Sequence, residues 1–148
     1  MSLLRRSGQQ ALQALLELAE APQQWRSVNE IAAAQDLPAP MLEQLLLQLR
    51  RAGLVEARRG RLGGYRLQRE PARIAVSEVL EAVGAEISLI DGEAEEPSLA
   101  EQQVLRSMAR RLQRAMDREL MQFNLEELLF DLRSCRESLS GSGGLMLG

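Results

Sequence analysis

The sequence contains no histidine, no lysine and only one cysteine, Cys135. Without histidine the commonest general base is missing, and no cysteine–histidine spacing of a metal site occurs. A single cysteine cannot form a disulfide within the chain, which agrees with a reducing compartment. Only four residues are aromatic, too few for a platform that stacks unpaired bases. These absences argue against an enzyme and against single-stranded nucleic acid or RNA as a partner.

Long apolar runs are missing as well. No stretch is long enough to predict a membrane span, and the first residues, Met1–Arg6, lack the apolar segment of a signal peptide. No glycine-rich phosphate loop opens a helix. We therefore expect a cytoplasmic protein that is not an enzyme, has no cofactor and does not bind a membrane. With 148 residues, of which 45% are hydrophobic, the chain can form one domain with its own core, or a small domain plus an oligomerisation element.

Basic and acidic residues are separated along the chain. All eighteen basic residues are arginines, and the net charge is −3. Residues 1–70 carry ten arginines and seven acidic residues, whereas residues 71–148 carry eight and fourteen. Between Arg50 and Arg69 there are seven arginines and a single acidic residue, Glu56. This local cluster predicts a polyanion-binding surface in the first half, whatever the net charge of the whole chain.

The spacing of apolar residues predicts helices at the start of the chain. Leucines at helical intervals predict a first helix over about residues 4–21, ended by Pro22. Ser27 and Glu30 form a capping box, in which each side chain accepts from the other residue's backbone N–H. The box predicts a short second helix over Val28–Gln35.

A third helix follows a short turn at Asp36–Ala39. Pro40 suits the first position of a helix, and Gly53 suits its end, so the helix is predicted to continue through Met41–Ala52. Two helices joined by such a turn form a helix-turn-helix, whose second helix reads the major groove of DNA. Four leucines at helical spacing are predicted to face inward: Leu42, Leu45, Leu46 and Leu49.

The opposite side of the third helix carries candidate DNA contacts. Gln44 has the donors and acceptors to pair with adenine, and Glu43 can accept from the amino group of cytosine. Arg50 and Arg51 are placed to reach phosphates. The alternative for each of these residues is an ordinary solvated helix face.

A glycine-bearing turn with four arginines follows and predicts a β-hairpin wing. Val55–Arg58 is predicted as one strand, Arg59–Gly64 as the turn and Tyr65–Gln68 as the return strand. Arg59 and Arg61 at the tip would lie over phosphates or in a narrow minor groove. Three hairpin residues are predicted to pack inward: Val55, Tyr65 and Leu67.

The second half predicts a long helix that needs a partner. Ser98 and Glu101 form a second capping box, which opens a helix to about Gln122. Pairing with a second copy of the chain would cover its apolar face and match the symmetry of an operator. The predicted dimerisation residues are Leu105, Met108, Leu112, Met116 and Leu120. Four arginines on this helix are interpreted as a solvated or salt-bridged face: Arg110, Arg111, Arg114 and Arg118.

The end of the chain predicts one more helix and a tail. A final helix is predicted from Leu125 to about Ser134, with apolar residues that pack back on the domain. These residues are Leu128, Leu129 and Leu132. The remainder, Ser138–Gly148, is rich in serine and glycine and is interpreted as a flexible end.

Taken together, the motifs of the first half resemble the Rrf-two family of bacterial winged helix-turn-helix regulators. The resemblance is strong over about residues 3–83. The rest of the chain resembles the family in the order of its predicted elements. The motifs that carry it are Leu42-Glu43-Gln44-Leu45, Ala52-Gly53-Leu54-Val55 and Gly63-Gly64-Tyr65. It implies a homodimer on a partly palindromic operator, with a long C-terminal helix crossing between subunits. The DNA contacts that it carries over are Pro40, Glu43, Gln44, Arg59 and Arg61.

The sensing part of that family is not matched. Many members hold an iron–sulfur cluster with three cysteines in the loop before the dimerisation helix. In this chain the corresponding loop, residues 84–97, contains neither cysteine nor histidine, so thiolate ligation is missing there and no metal is expected. The loop is predicted to be solvated and acidic, with Glu86, Asp91, Glu93, Glu95 and Glu96.

The sequence thus predicts a mainly α fold with a small β-hairpin wing and a long C-terminal dimerisation helix. The predicted parts are a winged helix-turn-helix domain (1–83), an acidic loop (84–97), dimerisation helices (98–137) and a flexible tail (138–148). The predicted function is a homodimeric, sequence-specific regulator of transcription that binds double-stranded DNA and acts as a repressor. One alternative is a winged helix that binds another protein. The other is a regulator whose unknown effector, a small molecule, binds between the wing domain and the long helix.

Overall fold

The computed structural model describes the backbone of residues 4–90 and 98–147, with side chains as far as Gly141. Its architecture confirms the predicted fold class: helices dominate, one two-stranded antiparallel hairpin follows the third helix, and two long helices end the described chain. The elements are α1 (Arg6–Glu20), α2 (Val28–Gln35), α3 (Ala39–Arg51), β1 (Val55–Arg58), β2 (Gly64–Leu67), a 3₁₀ turn (Pro71–Arg73), α4 (Val76–Ala82), α5 (Ala100–Gln122) and α6 (Leu125–Leu147).

The capping box sets the start of α2 as predicted. The Glu30 N–H donates to Ser27 Oγ at 3.1 Å, and the Ser27 N–H donates to Glu30 Oε1 at 3.2 Å. The hydrogen bond from the Ser27 backbone, then the one from its side chain, and last the charge of Arg26 hold the pKa of Glu30 below its ordinary value of 4.5. The carboxylate is therefore charged while it caps the helix.

Helix α3 begins one residue earlier than predicted. Pro38 is the residue before the helix and Ala39 the first within it, so Pro40 takes the second position instead of the first. The reason is that the Leu42 N–H already donates to the Pro38 carbonyl at 3.0 Å. The predicted inward stripe is confirmed, because all four of its leucines are buried: Leu42, Leu45, Leu46 and Leu49.

The core lies between α1 and the elements around it. Leu15 and Leu18 of α1 are buried with Ile31 of α2, Leu80 of α4 and Leu125 of α6. Helix α1 can approach α4 closely because position 8 is glycine. A Cβ at Gly8 would lie 2.7 Å from Leu80 Cδ2. This packing fixes the platform from which α3 and the hairpin project.

The start of α5 differs from the predicted capping box. The helix begins at Ala100 after Leu99, whose N–H donates to Gln102 Oε1 at 3.4 Å. Leu99 has extended backbone angles and so takes the position predicted for Ser98. The reciprocal glutamine is consequently one residue further along than the predicted Glu101. The predicted end of this helix at Gln122 is confirmed.

Helix α6 is longer than predicted. It starts at Leu125, where the Glu127 N–H donates to Asn124 Oδ1 at 2.9 Å. Instead of ending near Ser134, its backbone stays helical through Leu147, so the predicted end of this helix is wrong. The segment contains no proline, and serine or glycine in a helix costs only about 0.5–1 kcal/mol each. The predicted inward residues Leu128, Leu129 and Leu132 do pack on the core.

Candidate nucleic-acid interface

The outer face of α3 is free because its leucine face is buried. Every candidate contact predicted on this helix is exposed: Pro40, Glu43, Gln44, Arg50 and Arg51. The two arginines end the helix, where their positive charge also complements the partial negative charge of the helix terminus. The helix therefore presents polar side chains along its exposed face and cations at the end next to the wing.

The hairpin follows directly and has one defined register. Val55 pairs with Leu67, and Arg58 pairs with Gly64, so the return strand starts one residue earlier than predicted. Val55 and Leu67 are buried, and Tyr65 is partly buried against the core, which confirms their predicted packing roles. The inner face of the wing is thus part of the hydrophobic core.

A third backbone segment completes the wing, and sequence reasoning missed it. The Arg26 N–H donates to the Tyr65 carbonyl at 2.8 Å, and the Tyr65 N–H donates to the Arg26 carbonyl at 2.7 Å. Gly64 permits this approach, because a Cβ there would lie 2.3 Å from the Arg26 carbonyl oxygen. Its φ of +140° also disfavours any residue with a side chain. A single isolated bridge leaves no alternating pattern in the sequence from which it could be found.

The tip of the hairpin is held by short-range hydrogen bonds. The Gly63 N–H donates to the Gly60 carbonyl at 3.1 Å, and Arg58 Nη2 donates to the Leu62 carbonyl at 3.2 Å. Arg59 and Arg61 extend from this turn and are exposed. The tip therefore presents two cations on a turn with a fixed backbone.

The structure sorts the arginine cluster into two groups. Arg66 forms an ion pair with Glu56, and Arg69 forms one with Glu78 at 2.8 Å. Arg58 Cζ lies 5.1 Å from the centroid of the Trp25 ring, and Arg66 Cζ lies 4.2 Å from it. Within residues 4–90 and 98–141, four arginines of the cluster have no ion pair, hydrogen bond or ring contact with a side chain or backbone of their own chain: Arg50, Arg51, Arg59 and Arg61. These four are the arginines that the sequence predicted as phosphate contacts.

The apolar face of α5 is largely uncovered in the single chain. Leu105 is 59% exposed, and Met108 and Leu112 are each 52% exposed. Met116 is half-buried, and Leu120 packs against the core of its own chain. Four of the five arginines of this helix are exposed and form no ion pair with the described side chains: Arg110, Arg111, Arg114 and Arg118.

A cavity of about 570 Å³ lies between α4 and α5. Leu80, Ile87 and Leu120 contribute apolar lining, and Glu78 and Glu81 contribute carboxylates. The cavity occupies the cleft that the sequence suggested for a small-molecule effector. Of the acidic loop residues, Glu86 lines this cavity and is exposed. The others, Asp91, Glu93, Glu95 and Glu96, lie outside the described residues.

A helix-turn-helix with an exposed second helix and an arginine-tipped hairpin defines the class: a winged helix-turn-helix DNA-binding protein. The chain matches the model of the Rrf2 family, described as iron-dependent transcriptional regulators, over residues 4–131. It belongs to this family, as its motifs predicted. None of the helices described is long and apolar enough to cross a membrane.

Similar proteins and structures agree with this membership. A Synechocystis protein named as an HTH-type transcriptional regulator is 38% identical over 125 residues, which cover 84% of this chain and 85% of that protein. The HTH-type transcriptional regulator IscR of Cereibacter sphaeroides is 48% identical over 83 residues, 54% of each chain. The structure of IscR from T. potens has a TM-score of 0.70 at 31% identity, with 87% of both chains covered. That of CymR, the global cysteine regulator of B. subtilis, has a TM-score of 0.67 at 30% identity, covering 87% of this chain and 97% of CymR.

The chain is therefore a DNA-binding transcriptional regulator of the Rrf2 family. The family and its named relatives regulate transcription and are not enzymes. The predicted class of function is confirmed by these matches.

The iron in the family's description does not fit the donor set of this chain. Iron–sulfur clusters are held chiefly by several cysteine thiolates, and the sequence has one cysteine and no histidine. Cys135 is exposed on α6, and residues 4–90 and 98–141 hold no group of three or more histidine, cysteine, aspartate or glutamate side chains that could bind a metal. The residues present thus do not fit a thiolate-bound cluster.

Proposed function

We propose that this regulator binds a partly palindromic operator as a homodimer, with α3 of each protomer in a major groove and each wing over the flanking DNA. The supporting observation is that the arginines of the cluster fall into a paired group and an unpaired group. Arg50 and Arg51 end α3, Arg59 and Arg61 lie at the wing tip, and all four lack an internal partner among the described side chains. An unpaired guanidinium gives up no internal contact when it binds a phosphate.

Base reading is assigned to the exposed side of α3 upstream of these arginines. Gln44 would pair with adenine through both its amide atoms, and Glu43 would accept from a cytosine amino group. Pro40 lies in the first turn of the helix, where backbone approaches the DNA in this docking mode. The phosphate contacts fix the register of the helix in the groove, and these side chains supply the sequence preference.

The uncovered α5 face supports pairing of two chains. Its exposed apolar residues Leu105, Met108 and Leu112 lie on one side of a helix of 23 residues. A two-fold contact through this face would place two α3 helices in symmetric positions, as a palindromic operator requires. We propose the division into a reading domain (1–83), an acidic loop (84–97) and dimerisation helices (from 98).

We propose that the protein represses transcription and that it acts in the cytoplasm. A dimer seated on a promoter excludes RNA polymerase without any further surface. Glu43, Gln44 and the wing would be buried against the DNA in that state.

Selection of bound genomic fragments from the source organism, followed by binding titrations on the recovered duplex, tests the proposal. We expect affinity to fall steeply with salt. Gln44→Ala should weaken binding by roughly 5- to 150-fold, the range of about 1–3 kcal/mol for a bidentate base contact, and relax specificity at one position. Gln9→Ala, the same change at an exposed position of α1, is the matched control. Equal recovery of all fragments, or loss of affinity with Gln9→Ala but not with Gln44→Ala, would contradict the proposal.

We also propose that the cavity between α4 and α5 receives a small effector with an apolar body and a positive charge. Its volume of about 570 Å³ is in the range of ligand pockets. Glu78 on its wall pairs with Arg69, whose Nε donates to the Gly53 carbonyl at 3.4 Å, between α3 and β1. An occupant that competes for Glu78 would therefore loosen the junction of the reading helix and the wing.

A cationic apolar dye, rhodamine 6G, serves as the probe for this cavity. We expect saturable binding that weakens in Ile87→Phe, which fills the space, and a lower affinity of the dye-bound protein for its operator. Unchanged dye binding in Ile87→Phe would refute the cavity as the effector site and leave the DNA-binding proposal standing.

A further inference from the structure

The outer face of the wing is covered by the only tryptophan of the chain. Side chains alternate between the two faces of a strand, so the register places Glu56, Arg58 and Arg66 on the face opposite the buried Val55 and Leu67. Both arginines of this outer face lie over the Trp25 ring. The Cζ-to-centroid distances are 5.1 Å for Arg58 and 4.2 Å for Arg66, within the reach of cation–π contacts.

Trp25 is itself held in place beside the hairpin. It precedes Arg26, whose backbone pairs with Tyr65, and Arg26 is fixed by an ion pair with Glu17 at 3.0 Å. Glu17 of α1 therefore holds the backbone beside the ring in place, through its ion pair with Arg26. Arg66 is held twice, by the ring and by its ion pair with Glu56.

Resting on the proposed function, we propose that Trp25 is the positioning residue of the wing. It withdraws Arg58 and Arg66 from phosphate contact and orders the hairpin before binding, so that the wing delivers Arg59 and Arg61 alone to the DNA. An ordered wing loses less conformational freedom on binding. The number of wing cations that reach the DNA is consequently two per protomer, although the hairpin sequence carries four.

Emission and near-UV circular dichroism of the free protein test the stack directly, because Trp25 is the only source of tryptophan signal. We expect Arg66→Gln to change both spectra most and Arg58→Gln to change them less, in the order of the two distances. Arg59→Gln and Arg61→Gln, the same change in the same hairpin, are the matched controls and should leave the spectra unchanged. An Arg66→Gln spectrum identical to that of the controls would overturn the proposal.

The salt dependence of duplex binding counts the arginines that reach phosphates. Each lost contact lowers the slope of log K against log salt by about 0.9, so Arg59→Gln and Arg61→Gln should each reduce it. Arg66→Gln should lower affinity at every salt concentration and leave the slope unchanged. A slope reduced as much by Arg66→Gln as by Arg61→Gln would show that Arg66 contacts DNA, and the proposal would fail.

Substitutions of Trp25 test whether the wing needs an aromatic ring at this position or only a large apolar side chain. Trp25→Phe keeps an aromatic face and should bind within about twofold of the wild type. Trp25→Leu should bind up to about tenfold more weakly, because the hairpin is then no longer ordered by its two cation–π contacts before it meets the DNA. Equal affinity of Trp25→Leu and wild type would overturn the positioning role. If Trp25→Leu does not fold, the arginine variants above decide the question. Absence of duplex binding by the wild type would refute the proposed function itself, whereas the spectra decide separately whether Trp25 holds the two arginines.

Discussion

Shortening Leu112 tests the proposed dimer contact at one position of α5. Leu112→Ala removes three carbon atoms, which would be worth about 2.4 kcal/mol if the side chain were fully buried. Leu112 is 52% exposed in the single chain, so pairing can bury about half of it, or about 1.2 kcal/mol per protomer. A symmetric dimer loses this amount twice, and about 2.4 kcal/mol corresponds to a roughly sixtyfold weaker dimer.

Sedimentation equilibrium over a range of protein concentrations measures this change. Leu139→Ala is the matched control, because Leu139 is 69% exposed on α6 and undergoes the same truncation. We expect the dimer dissociation constant to rise for Leu112→Ala and to stay within about twofold for Leu139→Ala. Operator binding should weaken with the dimer at low protein concentration. A wild-type chain that sediments as a monomer, or a dimer weakened equally by both changes, would refute the assignment of the α5 face.

Three further changes test the local structure that carries the interface. Ser27→Ala removes the cap of α2 and should lower the free energy of unfolding by about 1 kcal/mol in urea titrations; an unchanged midpoint would contradict the role of the box. Because the folded-state pKa of Glu30 is lowered, its charge stabilises the fold above its ordinary pKa of 4.5, and this contribution is lost as the pH falls through the folded-state value. The stability gap between wild type and Glu30→Gln should therefore close on acidification, and a gap that widens would refute the sign. Gly64→Ala places a Cβ 2.3 Å from the Arg26 carbonyl, so it should disrupt the wing and abolish duplex binding while helical circular dichroism is largely kept.

The predictable parts of the fold are those with local signals. The box of Ser27 and Glu30 fixes the start of α2 through two hydrogen bonds within four residues, so its bounds follow from the sequence alone. The leucine stripe of α3 defines the buried face and, by exclusion, the face that can meet DNA. Two alternating strands around glycines predict the hairpin to within one residue.

The parts that escaped prediction depend on contacts between distant segments. The pairing of Arg26 with Tyr65 joins residues that lie far apart in sequence and rests on backbone atoms, which carry no residue code. Helix α6 is attached to α1 in its middle, where Arg133 and Arg136 pair with Glu20. Its serines and glycines beyond residue 137 predicted a flexible end, but their low helix propensity does not by itself end a helix.

The candidate site, too, has features that the sequence predicts and features that depend on contacts between distant segments. Residue types and spacing predicted which polar and basic side chains of α3 and the wing tip are exposed, and the structure places them at the surface. They could not show that Arg58 and Arg66 are engaged by Trp25. Counting arginines in a motif therefore gives an upper bound on phosphate contacts, and only the structure distinguishes the free cations from the paired ones.

The reading surface and the family's iron ligands are physically separable in this fold. Packing of its four leucines and the cap of α2 hold α3 in place. The helix-turn-helix thus forms in a chain whose loop, residues 84–97, contains no cysteine. One connection between α4 and α3 is Arg69, which follows β2, pairs with Glu78 of α4 and contacts the Gly53 carbonyl beyond α3. Because Glu78 lines the cavity, this side chain links the cavity wall to the junction between α3 and the wing.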